Sequence, residues 1–406
     1  MTVITIEEAR SLLEGAAPLM EIEEVDLADA AGRVLAEPIV ADRDLPPTDR
    51  SGMDGFAVRT EDLPEPDRIL RVAGEIRAGQ PVGKIAVGEG EAVRIMTGAI
   101  VPPGADAVVM VELTEEDPGA GTVRIRQRPE EGQHIRLRAE DVTRGETILD
   151  GGRPIHAAEI AALASVGMVR VKVRRRPQVN LLSTGDEIVP ATAVPADHQV
   201  RNSNSPTLAN QLAGLGLAGR DLGTVLDEAG DLDRVLGEGL KGDVLLLTGG
   251  VSMGDYDLVR EALERAGVET VFHKVSVRPG KPILVGRRDR CLVIGLPGNP
   301  VSAFTGFFVF VAPTLRKMMG YARHGNRTVT AVLDEPLRPK PGRTTYHLAR
   351  VEWRNGGFRA RQVRTMGSGD VVSMVRANAF LVTPPGPTIP AGETVPSMLW
   401  PDDHLR

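Results

Sequence analysis

The rhythm of apolar and polar positions changes several times along this chain. In residues 3–37, Ile6, Ala9, Leu12 and Leu13, and then Leu27, Ala31, Val34 and Leu35, recur at helical spacing, so the segment is predicted to be helical. "PIVADRDLPPTDRSG" breaks that pattern at Pro46 and Pro47. From about Ser51 to Glu146 the chain turns into short alternating stretches between Gly and Pro, among them "AVRIMTG", "ADAVVMVEL" and "GTVRIRQRP", the pattern of a β module. Helical spacing returns at "HAAEIAALASVG". The β module, residues 46–145, is therefore predicted to interrupt a helical domain made of residues 1–45 and 146–176.

Residues 177–326 alternate apolar strands with helices. "QVNLLSTGDE", "RDLGTV", "DVLLLTGG" and "CLVIGLPGNP" read as strands. Between them lie "SPTLANQLAGLG", with Ser205 as N-cap and Pro206 opening the helix, "EAGDLDRVLGEGL", with Leu232, Val235, Leu236 and Leu240 inward, and "DYDLVREALERAG". Asn299 caps the last helix and Pro300 starts it. Alternation of this kind predicts a mostly parallel sheet with helices on both faces. Residues 327–406 return to short strands with frequent turns, "RTVTAVLDEPL", "TYHLARVEW", "GFRARQV", "NAFLVTPPG" and "GETVPSMLW", which predict a small antiparallel barrel or sandwich.

A length of 406 residues exceeds one hydrophobic core and fits several domains. The net charge of −7 argues against a general nucleic-acid or membrane-surface binder. The single cysteine, Cys291, sits within "CLVIG" and reads as a small buried hydrophobe; no intrachain disulfide or four-cysteine metal site is open to this chain. "MTVITIEEARSLLEG" lacks the layout of a signal peptide, and the longest apolar run, "AFTGFFVFVAP", is too short to span a bilayer. A cytoplasmic protein is the expectation.

Ligands of open parallel sheets bind beyond the carboxyl ends of the strands. Three strands end there in suitable loops, "LLSTGDE", "LLLTGGVSMGDYD" and "VIGLPGNP". Gly249 and Gly250 allow close backbone approach, Ser252 adds a hydroxyl, and the amino end of the next helix favours an anion. A tight turn alone would produce the same loop, so the loop by itself leaves function open. Glu187 and Asp257 add carboxylates at the same edge, the oxygen ligands Mg²⁺ requires beside phosphate, whereas Asp255 reads as a charge match to the following helix. Lys274, Arg278 and Lys281 bracket the Pro279-Gly280 turn; alone they read as solvated surface, and beside an anion cradle as neutralisation of an oxyanion. No Walker motif, dinucleotide fingerprint or zinc motif is present, and Ser183, Ser252 and Ser302 lack the setting of a nucleophile elbow.

In this order the phrases "PPTDRSGMDGFAV", "VRIMTGAIVPPGADAVV", "GQHIRLRAEDVTRGE", "NLLSTGDEIV", "LLLTGGVSMGDYD", "VSVRPGKPILVG" and "GLPGNPVSAF" resemble the MoeA family of molybdopterin molybdenumtransferases, which also includes the E domain of gephyrin. The resemblance implies a multidomain α/β and β fold: a MogA-like three-layer α/β/α sheet domain, an inserted β module, a helical N-terminal region and a C-terminal β-barrel-like domain. It implies insertion of molybdate into adenylylated molybdopterin with Mg²⁺ and release of AMP, on an elongated homodimer whose cleft lies between the sheet domain of one subunit and the β module of the other. Contacts with an adenylyltransferase and with molybdoenzymes are expected as well. Carried over residue by residue, Glu187, Asp227 and Asp257 match the acids that bind Mg²⁺ or organise the nucleotide phosphate. Gly250, Ser252, Pro297 and Asn299 fall in the pterin or nucleotide loops, and Lys274 and Lys281 match the basic pair near the oxyanion. Arg278 stands where many members have Lys. Asp54, Thr97 and Asp141 match the functional positions of the inserted module, and Arg350 and Ser368 the molybdate contacts of the last domain. Two alternatives stay open: a molybdopterin adenylyltransferase, and a gephyrin-like dimeric scaffold.

Overall fold

The computed structural model describes residues 3–225, 229–250 and 258–400. Its centre is a six-stranded sheet in the order Gly219–Val225, Val179–Thr184, Val244–Thr248, Cys291–Leu296, Leu284–Arg288, Glu269–His273. The first four strands are mutually parallel, and the last two join antiparallel. Val179–Thr184, Val244–Thr248 and Cys291–Leu296 are buried along their whole length, as strands covered on both faces must be. One face packs against the helix Ala229–Gly239 through Leu232, Val235 and Leu236 and against Leu258–Arg265 through Val259, Ala262 and Leu263. The other face carries the helices Asn204–Ala213, Pro300–Gly306 and Ala312–Met318, the last two joined by a π-helical turn at Phe307–Val311.

The helix Ile6–Ala16 belongs to that same core. Thr5 and Glu8 form a reciprocal capping box at its start, and its buried stripe Ile6, Ala9 and Leu13 packs with Phe272, Val275 and Phe310. Helical spacing does not hold to residue 37. Ile22–Asp26 is a strand antiparallel to Arg170–Arg174, setting Glu24 opposite Lys172 and Asp26 opposite Arg170, and Leu27–Asp29 is a single 3₁₀ turn. Cross-strand charge pairing and the Gly32 turn at positive φ prevail there over the apolar periodicity. Val34 and Leu35 are buried by bridges to Pro154 and Val173. Asn204–Ala213 likewise begins earlier than its Ser-Pro signal, with Ser203 at the N-cap and Ser205 inside.

The module between contains a six-stranded sheet in the order Ala107–Met110, Gly55–Val58, Glu91–Ile95, Arg68–Ile76, Thr122–Ile125, Thr114–Asp117. The helix Ala157–Ser165 follows it. At the carboxyl end Thr344–Arg354, Gly357–Gln362, Thr328–Leu333, Thr394–Leu399 and Ala379–Thr383 close into a five-stranded barrel, since the first and last of these also pair. Val277 and Arg278, from the segment linking the last two strands of the central sheet, add to the barrel by pairing in parallel with Thr344 and Thr345. No described helix is long and apolar enough to cross a membrane.

Candidate active site

Two adjoining clefts open at the carboxyl edge of the central sheet and share Pro282, Pro297 and Asn299. The first, of about 650 Å³, is walled by the ends of the strands Val179–Thr184 and Val244–Thr248, the Gly249–Gly250 turn, the "LPGN" loop and the start of the helix Asn204–Ala213. Strand ends and a helix amino terminus converge there because every parallel strand must hand its chain to a crossover helix. Asn204 Nδ2 donates to the Gly298 carbonyl at 2.8 Å and ties two of the walls together. Gly249 and Gly250 sit at φ +89° and +58°, and a Cβ on Gly249 would stand 2.1 Å from the Thr184 carbonyl oxygen. Only glycine fits that turn.

The second cleft, of about 550 Å³, lies between the sheet domain and the barrel. Arg278 and Lys281 enter from one side, Lys340 and Arg343 from the other, with Ser302, Thr365 and Ser368 among the remaining polar groups. No carboxylate lines it among the described residues. Arg343 Nη1 donates to the Val277 carbonyl at 3.3 Å, and burial, followed by the charge of Arg278, lowers its pKa. His347 is buried in the same wall. Gln362 Nε2 donates to its Nδ1 at 3.3 Å, which leaves the proton on Nε2 to donate to Thr383 Oγ1 at 3.0 Å. Burial pushes its pKa down to about 4, so the ring is neutral.

Gly250 and Glu187 line the first cleft, Pro297 and Asn299 both clefts, and Arg278, Lys281 and Ser368 the second. Lys274 follows the strand Glu269–His273 in a left-handed conformation, φ 76°, and lines neither cleft. Arg350 lies outside as well: the recess-lining stretch of its strand ends at Leu348, and Arg350 Nε pairs with Glu352 at 3.4 Å. Asp54, Thr97 and Asp141 sit on the inserted module and line neither cleft of their own chain. Asp54 accepts from the Thr97 N–H at 2.6 Å and from its hydroxyl at 2.8 Å, and these bonds, the N–H first, hold its carboxyl below the usual carboxylate range. Asp141 accepts from Arg136 at 2.5 Å. Asp227, Ser252 and Asp257 lie outside the described residues.

Lys340, Arg343 and His347 were not singled out by sequence reasoning. The only trace was the run of polar side chains in "KPGRTTYH" around the start of the strand Thr344–Arg354.

Three family descriptions match successive parts of the chain: "MoeA N-terminal region (domain I and II)" residues 4–167, "Probable molybdopterin binding domain" residues 180–317, and "MoeA C-terminal region (domain IV)" residues 330–400. A molybdopterin molybdenumtransferase of Staphylococcus aureus (strain MRSA252) is 36% identical over 409 residues, spanning 98% of this chain and 96% of that protein. One of Bacillus subtilis (strain 168) is 36% identical over 374 residues, 90% of this chain and 86% of that protein. The crystal structure of the molybdopterin biosynthesis moeA protein from Pyrococcus horikoshii OT3 superimposes with a TM-score of 0.83 at 28% identity, over 98% of this chain and 100% of that one. A parallel-sheet domain joined to a β module and a closed terminal barrel thus places the chain among the multidomain transferases of molybdenum cofactor biosynthesis. It belongs to the MoeA family of molybdopterin molybdenumtransferases.

Proposed function

We propose that this chain inserts molybdate into adenylylated molybdopterin and releases AMP. The observation that carries the reading is the adjacency of two unlike clefts across Pro282, Pro297 and Asn299. One offers a glycine turn and a helix amino terminus to a phosphate, and the other offers cations without a carboxylate to a tetrahedral dianion. Arg278, Lys281, Lys340 and Arg343 hold the oxyanion in this reading, with Ser302, Thr365 and Ser368 as hydroxyl donors. The pterin adenylate lies across Gly249 and Gly250 with its dithiolene toward the basic recess. Separation of AMP then depends on positioning and on charge stabilisation of the phosphoryl oxygens, with no protein nucleophile.

The donor set of the first cleft suits Mg²⁺. Glu187 is exposed at its wall, and its carboxylate has no hydrogen-bond or ion-pair partner among the described residues. A magnesium ion takes one or two protein carboxylates and fills its remaining positions with phosphate oxygens and water. Glu187 would hold it, with Asp257 as the second carboxylate. When bound, the ion offsets phosphate charge. The homodimer belongs to this proposal too, because Asp54, Thr97 and Asp141 can act on a cleft only by approaching that of another subunit.

The test is AMP release by the purified protein from adenylylated molybdopterin and Mg²⁺, with and without molybdate. Molybdate-dependent release with metal-containing pterin is expected. Absence of release, together with ATP-dependent formation of the adenylate, would overturn the reading in favour of an adenylyltransferase. Mixing the inactive Asp54→Ala and Lys281→Ala proteins should restore part of the activity if sites are shared between subunits. No recovery after subunit exchange, followed by mass spectrometry, would remove the shared site.

A further inference from the structure

In the wall of the first cleft a group of buried and half-buried polar side chains is mutually hydrogen-bonded. Ser183 Oγ lies 3.0 Å from both Ser205 Oγ and Thr248 Oγ1. Asn202 Nδ2 is directed at Ser183 Oγ at 3.0 Å, Ser205 Oγ at 3.1 Å and Thr224 Oγ1 at 3.2 Å, while its Oδ1 accepts from the Ser205 N–H at 3.0 Å. Thr184, the next residue along the strand, is 2% exposed and lines the cleft, yet its Oγ1 has no hydrogen-bond partner among the described residues. Leaving a buried hydroxyl unpaired is costly, and the buried hydroxyls nearby, those of Ser183, Ser205 and Thr248, all have partners. No described residue supplies the missing acceptor.

The surroundings identify its chemistry. A Cβ on Gly250 would stand 2.2 Å from Val259 Cγ2 and 2.7 Å from Thr184 Oγ1, and one on Gly249 3.1 Å from that oxygen, so the hydroxyl lies against the left-handed turn that lines the cleft. Across the cleft the helix Asn204–Ala213 presents its positive end. An anionic oxygen is the acceptor that suits both. We infer that Thr184 is a substrate-binding residue whose hydroxyl donates a hydrogen bond to a phosphoryl oxygen of the bound adenylate, between the Gly249–Gly250 turn and the amino end of the helix Asn204–Ala213. This rests on reading the first cleft as the adenylate site, and it names the group that distinguishes a nucleotide from a nucleoside there.

The experiment is calorimetric titration of the full chain with AMP and with adenosine, each with and without Mg²⁺. If the wild-type protein takes up no AMP, the adenylate reading itself fails, and this inference with it. Given wild-type binding, Thr184→Val, of nearly the same shape without the hydroxyl, is expected to bind AMP about tenfold more weakly or worse, as for a lost hydrogen bond to a charged group. Thr184→Ser should stay within about twofold of wild type, because it keeps the donor. Adenosine affinity should be the same in all three proteins. Equal AMP binding by wild type and Thr184→Val would overturn the inference. So would equal losses in the Val and Ser variants, which would mark a packing effect, or equal losses for adenosine and AMP. A loss seen only with Mg²⁺ present would overturn it as well, by giving the hydroxyl to the metal.

Discussion

His347 illustrates how a side chain's surroundings fix its charge. It sits in the wall of a cationic recess, where burial first and then the charge of Lys340 disfavour the protonated ring, so it stays neutral down to a pKa of about 4. An unfolded histidine takes up its proton near 6.5, and between these values the unfolded chain binds more protons than the folded one. The contribution of His347 is present in full above pH 6.5 and is lost as pH falls toward 4, by up to about 3 kcal/mol. His347→Gln should flatten that part of the stability profile in denaturant titrations between pH 4 and 7. Cys291 is buried, and its thiol is pushed up to about 12. It should resist a disulfide reagent at pH 8 in the native protein and react promptly once denaturant is added. The sequence identified that cysteine as a small hydrophobe from its apolar flanks alone. Thr184 was out of reach by the same means, because an unpaired hydroxyl is a property of neighbours brought together from three strands. Arg350 entered through the resemblance, as a match to the molybdate contacts of the last domain, but where a strand leaves a cavity depends on twist and closure, which one strand does not encode.

Composition made the buried strands legible, since aliphatic runs stopped by Gly and polar residues have few other uses. It failed over residues 27–37, where apolar spacing imitated a helix while the structure shows a 3₁₀ turn and isolated bridges. The Gly249–Gly250 turn was legible as a close approach, and its consequence is measurable. Gly249→Ala would drive a methyl into the Thr184 carbonyl, whereas Gly223→Ala, at φ +90° with nothing within 4 Å, bears only conformational strain. Gly223→Ala should cost about 1–2 kcal/mol and Gly249→Ala clearly more, with loss of AMP binding confined to the latter. The π-helical turn Phe307–Val311 was invisible in the pattern, yet Pro313 gives a reason for it. With no N–H at Pro313, carbonyls one turn back seek other donors; Asn326 Nδ2 donates to Phe308 O at 2.6 Å and Arg10 Nε to Val309 O at 3.3 Å. Asn326→Ala should lower stability by about 1–3 kcal/mol in urea unfolding, because it strips the Phe308 carbonyl of its partner.

Over the entire chain, the amino-terminal helix and the barrel draw on one core. Leu13 is 1% exposed among residues of the sheet domain, and Tyr346, Phe380 and Met398 of the barrel belong to the same cluster. Leu13→Ala should therefore destabilise by about 2–5 kcal/mol, and the fluorescence of Trp400, which packs on Phe304 and Phe308, should change in the same transition. A separate transition for the barrel would contradict a shared core. Sequence periodicity cannot show this kind of sharing, because it reports which face of an element is apolar and not which distant element covers it.

The pairing of Val277 and Arg278 with Thr344 and Thr345 has a thermodynamic consequence. It laces one bank of the cationic recess to the other, so Arg278 and Arg343 cannot move apart freely to relieve their repulsion when no anion is present. That repulsion is then borne by the folded state and is discharged by any fitting dianion. Molybdate, tungstate or sulfate should each raise the melting temperature in proportion to the logarithm of concentration above its dissociation constant, with little change in the shape of the molecule in solution scattering.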